Sequence, residues 1–343
     1  MTVLFEVTHP AHVHLFRNAI RELEDRGEEI LVTSRDKDLT IDLLERYDID
    51  HTVLSRRQPG YLSLAAEWTK REFKTLQYYW SADPDIIVSR FNPAASHASF
   101  ALGIPHIVFD DTEDKPAFVR KSVMPFSDVV YTPECFNIDV GRSHVRYPGY
   151  HELAYLHPNR FDPDPSILSD ADLDHDERFV ILRLVSWDAI HDVGDSGFNN
   201  VVDLVETIEE TGVSVRITSE ADLPSTIEDR QASIPPHRIH HLLAFANLYI
   251  GESATMATES AVLGTPAVFV SSNRRGYTDE LETEYGLVFN YSGEGRHRNG
   301  LEKALEILED TESEQWERRQ RKMLDDKIDT TQFIVEQIAA IRA

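Results

Sequence analysis

Residues 248–270 restrict the fold of this chain more than any other segment. The apolar run Leu248-Tyr249-Ile250 is typical of a buried strand, and the small and apolar residues after Ser253 predict a helix. A Gly-Thr-Pro turn then leads into a second apolar run, Ala267–Val270. The segment therefore predicts a strand–turn–helix–turn–strand unit, the connection that joins two parallel strands of one sheet.

The first turn of this unit is suited to binding phosphate. A helix start carries unpaired backbone N–H groups and the positive end of the helix dipole, and both attract anions. Thr255 and Glu259 are four residues apart and share one helix face. A hydroxyl beside the phosphate and a carboxylate one turn deeper suit a diphosphate followed by a ribose diol. Helix caps with Ser and an exposed Glu are also common in helices that bind nothing, and that alternative stays open.

Alternating strand and helix patterns run through most of the chain. They form two successive sets, separated by the polar, turn-rich residues 159–176. Strands are predicted at 3–7, 29–33, 85–89, 106–109, 129–131, 179–184 and 213–217, and helices at 15–27, 38–47, 93–101, 201–211, 221–231, 300–308, 312–324 and 330–341. Because alternating strands and helices build parallel sheets, and 343 residues exceed one usual core, we predict two doubly wound α/β domains.

The chain is strongly acidic. Its formal net charge of −26 argues against nucleic acid as a partner, because phosphate backbones need a basic surface. Few of its basic residues are lysine, which favours a halophilic source over an acidic mesophilic one. The single Cys135 excludes a disulfide framework and a Cys-rich zinc site. The first residues lack the basic start of a signal peptide, and no apolar run reaches membrane-spanning length, so we expect a cytoplasmic protein.

Residues 251–266 resemble the donor-binding motif of GT-B-fold enzymes, especially the non-hydrolysing UDP-N-acetylglucosamine 2-epimerases and the peptidoglycan N-acetylglucosaminyltransferase. Those families carry an acidic residue, Ser, two small residues and then Glu shortly before Leu-Gly-x-Pro. Here Glu252-Ser253 and Glu259 precede Leu263-Gly264-Thr265-Pro266, and Ala254-Thr255 replaces the usual Gly-Gly. The whole chain also resembles a poorly characterised group of archaeal and bacterial glycosyltransferase-like proteins.

The resemblance implies a GT-B fold, in which two Rossmann-like parallel-sheet domains face a cleft. It implies an acceptor-side domain at 1–148, a nucleotide-sugar-binding domain at 149–325, and a final helix at 326–343 that packs back on the first domain. On this match Ser253 and the amides of Ala254 and Thr255 hold the diphosphate, and Glu259 holds the ribose hydroxyls.

The turn after the first strand contains a candidate catalytic base. The resembled transferase has Gly-His-Val in this turn, and Ala11-His12-Val13 aligns with it, which makes His12 the first candidate to activate an acceptor hydroxyl. His9 and His14 are expected to cap or pack. A structural turn histidine and a metal site built from the His-x2-His-x-His pattern are the alternatives.

Charged residues also follow two later strands. Crowded carboxylates raise one another's pKa, which suits acid–base catalysis, and the epimerases carry a functional Glu in a comparable loop. Glu113 or Asp110 is therefore a further catalytic candidate, with magnesium binding by Asp110-Asp111 or a solvated acidic loop as alternatives. Arg90 is a candidate for substrate phosphate, and Asn92 is expected to cap the next helix.

Four more candidates lie in the second domain. Arg183 and Ser186 occupy the loop that contacts the donor diphosphate in the resembled enzymes, and an ion pair is the alternative role for Arg183. His241 belongs to the segment beside which the nucleobase usually rests. Arg274 follows a strand and would neutralise donor or acceptor charge, with simple solvent exposure as the alternative.

Residues 55–80 depart from the acidic character of the chain. They contain five basic and two acidic residues, a net charge of +3, interleaved with aromatic residues. Such a stretch can rest on an anionic membrane face or bind a lipid-phosphate acceptor. The stripe Leu62, Ala65, Phe73, Leu76 and Trp80 also fits a helix packed into the core, and this is the interpretation we expect.

The leading hypothesis is a metal-independent GT-B glycosyltransferase that needs no cofactor. It would move a sugar from a UDP-linked donor to a glycan or lipid-linked acceptor, in surface polysaccharide or protein glycosylation. A UDP-N-acetylglucosamine 2-epimerase-like enzyme and a non-catalytic nucleotide-sugar-binding protein are the alternatives. The predicted location is the cytoplasm, with peripheral contact at the inner membrane face through residues 55–80.

Overall fold

The computed structural model describes residues 1–57, 61–184, 201–219, 223–310 and 313–341. Among these residues the strands are β1 (Thr2–Val7), β2 (Glu29–Asp36), β3 (Thr52–Arg56), β4 (Ile86–Ser89), β5 (His106–Phe109), β6 (Val129–Pro133), β7 (His144–Tyr147), β8 (Phe179–Leu184), β9 (Ser214–Ser219), β10 (Leu248–Gly251), β11 (Ala267–Val270) and β12 (Val288–Tyr291). The α-helices are α1 (Pro10–Asp25), α2 (Thr40–Arg46), α3 (Tyr61–Ala82), α4 (Pro93–Leu102), α5 (Ala117–Val123), α6 (Leu153–Leu156), α7 (Ser166–Asp170), α8 (Val201–Glu209), α9 (Ile239–Phe245), α10 (Ala254–Leu263), α11 (Gly276–Glu280), α12 (Arg296–Glu309), α13 (Ser313–Asp326) and α14 (Thr330–Ala340).

The chain forms two compact units. Unit 1 comprises Met1–Arg160 and Lys327–Ala343, and unit 2 comprises Phe161–Asp326. Within the described residues, the sheet of unit 1 has the strand order β3-β2-β1-β4-β5-β6-β7 and that of unit 2 has β12-β11-β10-β8-β9. Neighbouring strands are parallel throughout. The predicted α/β class with doubly wound parallel sheets is therefore confirmed.

Buried apolar strands form the centre of each sheet. All four residues of β4 and of β5 are buried in unit 1, as are those of β10 and β11 in unit 2. These continuous apolar runs have the pattern expected of parallel strands covered on both faces, which explains why the sequence located them.

Several elements differ from the sequence prediction. The prediction missed three edge strands, β3 and β7 at the two edges of the unit 1 sheet and β12 at one edge of the unit 2 sheet. Their exposed residues, such as Val53 and Val145, interrupt the apolar pattern of a buried strand. The helix predicted at 221–231 was wrong for its described part, because residues 223–227 form no helix and Glu228–Arg230 is a short 3-10 turn. Pro224 lies inside that segment and disfavours a continuous helix.

The exposure of residues on α3 contradicts a second sequence-based interpretation, that of a core stripe. The core stripe predicted through Phe73, Leu76 and Trp80 was wrong, since Phe73 is 71% and Trp80 is 76% exposed and Leu76 is also exposed. The buried side of the helix instead carries Arg71, Thr75 and Tyr79. No helix in the described part of the chain has the length and apolar character needed to cross a membrane.

The helix α14 belongs to unit 1. It packs against α1 and α6, and Ile334, Val335 and Ile338 are fully buried. The Phe333 ring stacks on the Tyr147 ring with a centroid distance of 4.8 Å. Unit 1 therefore draws its core from two segments that are distant in sequence.

Candidate functional site

The carboxyl edge of the unit 1 sheet holds a group of charged side chains that we call the ionic cluster, formed by Arg90, Asp110, Asp111, Lys115 and His151. Arg90 directly follows β4, and the two aspartates directly follow β5. The strands β4 and β5 are paired in parallel, so the residues that follow them meet at one edge. Asp110 is fully buried, and Asp111 and Arg90 are 7% and 9% exposed.

Arg90 is the centre of the ionic cluster. Its Nη2 donates to Oδ1 of Asp110 at 2.8 Å and also to Oδ1 of Asp111, while Nζ of Lys115 donates to Oδ1 of Asp110. Burial by itself would lower the pKa of Arg90, but Asp111 and Asp110 raise it above its ordinary value. Burial opposes the charged form of Asp111 too, yet Arg90 and His151 hold its pKa well below the ordinary value. The expectation that crowding raises the carboxylate pKa was therefore wrong for Asp111, because each aspartate is paired with a cation.

His151 belongs to the ionic cluster although the sequence analysis did not identify it. It lies between β7 and α6, with Nδ1 2.9 Å from Oδ2 of Asp111. Burial lowers the pKa of His151, and Asp111 opposes this effect without reversing it, so the imidazole is neutral at neutral pH. The sequence feature that could have indicated His151 is its position just after the Tyr147-Pro148-Gly149 turn, where the strand pattern restarts.

Several buried polar atoms near this edge lack a hydrogen-bond partner among the described residues. They include Nε2 of His151, Oδ2 of Asp110, Nε of Arg90 and the hydroxyl of Tyr147. Buried polar groups normally contact protein, water or ligand, because leaving them unpaired is costly. The ionic cluster thus retains hydrogen-bonding capacity for a polar molecule.

His12, the predicted base, lies in the first turn of α1. Its Nδ1 accepts a hydrogen bond from the backbone N–H of Thr8 at 3.3 Å. Burial lowers the pKa of His12 well below its ordinary value, and the nearby cation Arg90 lowers it further. His9 caps α1 by accepting from the N–H of Ala11, and burial followed by the charge of Lys37 lowers its pKa to about 4. Both imidazoles are therefore neutral at neutral pH, the state in which a histidine can accept a proton.

Glu113 lies apart from the ion pairs of the cluster. Its Oε1 accepts from the backbone N–H of Asn137 at 3.4 Å, and its carbonyl accepts from Nη1 of Arg120 at 3.0 Å. The two predicted acidic candidates therefore have different surroundings. Asp110 pairs with Arg90 and Lys115, whereas Glu113 bonds to neighbouring segments and stabilises the loop 110–116. Their catalytic roles stay predictions.

A further buried carboxylate, Glu6 on β1, was not identified from the sequence. It accepts hydrogen bonds from Arg71 at 2.6 Å, from Tyr79 at 2.6 Å and from Asn92 at 2.5 Å. The prediction that Asn92 caps α4 through its side chain was wrong. Asn92 occupies the N-cap position without a side-chain cap bond, because its amide is directed to Glu6. The fully bonded Glu6 group is structural.

In unit 2 the turn between β10 and α10 forms a regular helix start. Ser253 is the N-cap residue, and its Oγ accepts from the N–H of Met256 at 3.3 Å. The amides of Ala254 and Thr255 lie in the first turn, where backbone N–H groups have no intrahelical acceptor. The helix start thus offers the free amides on which the phosphate prediction depends.

Close backbone packing requires a glycine just before this turn. A Cβ atom at Gly251 would lie 2.6 Å from the Tyr249 hydroxyl, 2.7 Å from Cβ of Arg183 and 2.8 Å from the Arg183 carbonyl oxygen. Such distances are shorter than real contacts, so Gly251 sets how closely the ends of β8 and β10 approach.

Glu259, the predicted ribose ligand, lies on α10 and is 4% exposed. Its Oε1 is 2.9 Å from Nε2 of His240 on α9, so the imidazole orients the carboxylate. His240 belongs to the segment predicted to lie beside the nucleobase, but its neighbour His241 was selected as the candidate and the contact with Glu259 was not predicted. His241 accepts a hydrogen bond from the N–H of Asp164 at 3.0 Å, and its ring lies 4.7 Å from that of Phe161.

The remaining predicted donor residues occupy different surroundings. Arg183 lies on β8 beside Gly251, partly buried. Arg274 is about half exposed and pairs with Asp279 at 2.8 Å and Glu282 at 3.0 Å. Hydrogen bonding to Asp279 raises its pKa. Ser186 lies outside the described residues.

Metal-ligand geometry is absent from the described part of the chain, where no three or more His, Cys, Asp or Glu side chains are grouped to hold an ion. This applies to the His9–His14 turn and to Asp110-Asp111. The carboxylates of the latter pair are held instead by Arg90, Lys115 and His151.

A buried histidine at the amino end of β5 predicts acid sensitivity. His106 is fully buried on β5, and burial lowers its pKa from 6.5 to about 3. Between these values the unfolded chain binds a proton that the folded chain does not, so stability falls as the pH drops below 6.5. At about 1.4 kcal/mol per pH unit, the His106→Gln variant is expected to lose about 2–3 kcal/mol less than the wild type between pH 7 and pH 4.5. Urea unfolding at both pH values measures this, and equal losses would contradict it.

Comparisons with known proteins agree with this architecture. A family model described as "Protein of unknown function (DUF354)" matches residues 1–341. An uncharacterised protein of Methanocaldococcus jannaschii is 21% identical over 278 residues, which are 78% of this chain and 81% of that protein. The solved UDP-GlcNAc 2-epimerase of the same organism has a TM-score of 0.67 at 13% identity, covering 94% of this chain and 99% of that one.

Two further solved structures are similar over almost the whole chain. The UDP-GlcNAc 2-epimerase of Neisseria meningitidis bound to UDP-GlcNAc has a TM-score of 0.69 at 12% identity and covers 99% of this chain and 100% of that chain. The glycosyltransferase SnogD from Streptomyces nogalater has a TM-score of 0.63 at 16% identity and covers 100% of this chain and 99% of that chain. At such identities the likeness establishes the fold, and the predicted GT-B fold is confirmed.

Proposed function

This chain belongs to the DUF354 family, and we propose that it is a glycosyltransferase that takes a sugar from a UDP-linked donor. The observation that carries the proposal is the β10–α10 turn, where Ser253 starts a helix and Glu259 lies further along it, held by His240. Similar solved structures include proteins named as glycosyltransferases and one bound to UDP-GlcNAc, which supports a nucleotide sugar as the ligand.

Each end of the donor has a proposed partner in unit 2. The amides of Ala254 and Thr255 and the Ser253 hydroxyl bind the diphosphate, because a helix start supplies both donors and a favourable dipole. Glu259 accepts from the ribose hydroxyls, and His240 orients it. Arg183, Ser186, His241 and Arg274 stay proposed donor contacts.

In the proposed reaction one bond forms, one bond breaks and one proton is transferred. An acceptor hydroxyl oxygen attacks the anomeric carbon of the sugar, and the bond from that carbon to the diphosphate oxygen breaks. The diphosphate leaves with the electron pair and is stabilised by the amides that start α10. His12 takes the hydroxyl proton, since its lowered pKa keeps the imidazole neutral. Glu113 and Asp110 stay alternative acid–base groups.

The acceptor in this proposal is a glycan or a lipid-linked sugar. A lipid-linked acceptor agrees with peripheral contact of residues 55–80 with the inner membrane face, which the exposed side chains of α3 support. The proposed site requires neither a metal ion nor another cofactor.

Calorimetric titration with UDP tests the donor site. The Ser253→Ala variant is expected to bind UDP at least about tenfold more weakly, because one hydrogen bond to a charged phosphate oxygen is worth about 1.5–3 kcal/mol. Wild-type protein should prefer UDP over 2′-deoxy-UDP, and Glu259→Gln should lose that preference. Ser214→Ala, a hydroxyl deletion on β9 that pairs with Glu177, serves as the control in unit 2. Unchanged UDP binding by both Ser253→Ala and Glu259→Gln would contradict the donor site.

A 2-epimerase-like reaction is the second candidate, and the ionic cluster favours it. The reaction needs paired groups that remove and return a proton, and Asp111–His151 beside Asp110 supplies such groups. Incubation with UDP-N-acetylglucosamine alone, followed by NMR, separates the two reactions. Interconversion of sugar nucleotides without any acceptor would replace the transferase proposal.

A further inference from the structure

Six large apolar side chains are exposed on the helices α3, α4 and α5 of unit 1. We call this surface the aromatic face; its residues are Trp68, Phe73, Leu76, Trp80, Phe100 and Phe118. Their exposed fractions range from 37% to 76%. Single exposed apolar residues are ordinary, but several on one layer of helices mark an interaction surface.

Contacts between side chains show that the three helices form one layer. The Trp68 ring on α3 lies 6.4 Å from the Phe118 ring at the start of α5. Glu72 on α3 approaches Nδ1 of His97 on α4 at 3.2 Å. Phe100 lies 5.1 Å from Phe126, which follows α5. The helices α3, α4 and α5 therefore lie side by side in one layer of unit 1.

The helical spacing on α3 directs the largest side chains outward. Phe73 and Trp80 are seven residues apart, so both project from the same side of the helix, about two turns from each other. They are also the two most exposed residues of the aromatic face. An arrangement of two projecting rings suits insertion into a soft apolar layer.

Basic side chains flank these rings. Lys70 and Lys74 are exposed on α3, and Lys121 is exposed on α5. Of the other cations of residues 55–80, Arg71 pairs with the buried Glu6 inside unit 1, and Arg56 and Arg57 pair with Asp36 and Asp38. A chain with a net charge of −26 thus presents aromatic rings edged by lysine at this surface.

We propose that the aromatic face docks on a phospholipid bilayer that contains anionic lipid, with Phe73 and Trp80 inserted among the lipids. Aromatic rings with flanking lysines suit the region between headgroups and acyl chains. A second copy of this chain is a poorer partner, because contact between two identical faces would bring the same lysines together, whereas anionic headgroups complement them. At about 1 M salt the Debye length is about 3 Å, so repulsion from remote carboxylates is screened while ring insertion persists.

The inference deepens the proposed function, since it names the surface from which a lipid-linked acceptor is reached. Only that link rests on the proposed function. Vesicle binding is measured without any sugar nucleotide, and UDP titration of the same variants reports the donor site separately. If vesicle binding fails, the proposed donor site is unaffected. If UDP binding fails, the proposed docking on the bilayer is unaffected.

Flotation with vesicles tests the docking. The vesicles contain phosphatidylcholine and phosphatidylglycerol in a 4:1 ratio, at 0.15 M and 2 M KCl. The Phe73→Ser/Trp80→Ser variant is expected to partition at least tenfold more weakly at both salt concentrations and to bind UDP normally. Lys70→Glu/Lys74→Glu should weaken partitioning mainly at 0.15 M, because its effect is screened at high salt.

A matched control replaces exposed apolar residues elsewhere in unit 1. Leu39→Ser/Val145→Ser removes side chains that are 42% and 43% exposed and should partition like the wild type. Bromine in the acyl chains should quench tryptophan fluorescence in the wild type, and Trp80→Phe should lose most of that quenching. Absence of wild-type binding at both salt concentrations overturns the proposal, as does equal binding by Phe73→Ser/Trp80→Ser. A change from dimer to monomer in that variant, with no vesicle binding by either form, would show contact between copies instead.

Discussion

Replacing Arg90 with methionine is expected to lower the stability of unit 1 by about 3–5 kcal/mol. The substitution leaves the buried carboxylates of Asp110 and Asp111 without their shared cation, and an uncompensated buried charge has about this cost. Lys115 and His151 contact one aspartate each, so neither replaces a guanidinium that bonds both. We expect the loss of Arg90 to disorganise the whole carboxyl edge of the sheet.

Hydrogen exchange measured by mass spectrometry reports the local stability of each unit separately. Peptides from β4 and β5 should exchange much faster in Arg90→Met, whereas peptides from β8 and β10 should be unchanged. Arg298→Met is the control, because Arg298 is exposed and its nearest carboxylate, Glu302, is 3.9 Å away. Exposed pairs contribute less than about 1 kcal/mol. Similar exchange of β4 and β5 in both variants would contradict the role given to Arg90.

Replacing Gly251 with valine is expected to abolish UDP binding. Even the Cβ atom alone would lie within 3 Å of Tyr249 and of the Arg183 main chain, and Tyr249 is fully buried. Because neither neighbour can move away easily, the turn that carries Ser253 must shift. Overpacking of this kind costs about 1–3 kcal/mol, and a displaced turn no longer presents its amides to a diphosphate.

Calorimetry with UDP and a thermal melt together measure the Gly251→Val effect. Gly103→Asn is the control, since Gly103 ends α4 with φ 69°, a conformation that asparagine tolerates, and a Cβ there has open space. This control should bind UDP like the wild type. Normal UDP affinity in Gly251→Val would show that the close approach of β8 and β10 does not set the donor turn.

The central strands and the β10–α10 turn were predictable because each depends on local pattern. Residues 107–109 and 179–182 are buried, and these apolar runs located β5 and β8. The Ser253 cap followed from residue type, because serine before a run of small residues is a strong helix start. The edge strands β3, β7 and β12 were not predicted, since partly exposed strands resemble loops in hydrophobic pattern.

The contents of the candidate site were less predictable because they depend on distant pairings. The link between Asp111 and His151 spans forty residues and requires the ends of β5 and β7 to be placed around the same edge. The ion pair of Glu6 with Arg71 likewise joins β1 to the inner side of α3. On α3 the spacing of apolar residues was visible, but the inner and outer sides were interchanged, because a buried arginine was not expected.

The position of α14 in unit 1 has a consequence for how the protein is made. Residues 1–160 leave the ribosome roughly 10 to 30 s before Thr330–Ala340, at about 5–20 residues per second. During that interval the rings of Tyr131 and Tyr147 lack Phe333, which covers both in the finished unit. Unit 2 is formed by one uninterrupted stretch of the chain, so its core does not depend on a segment that is synthesised later. The half of the molecule that is synthesised first is therefore completed last, and nascent chains stalled before Thr330 should be caught by chaperones through unit 1.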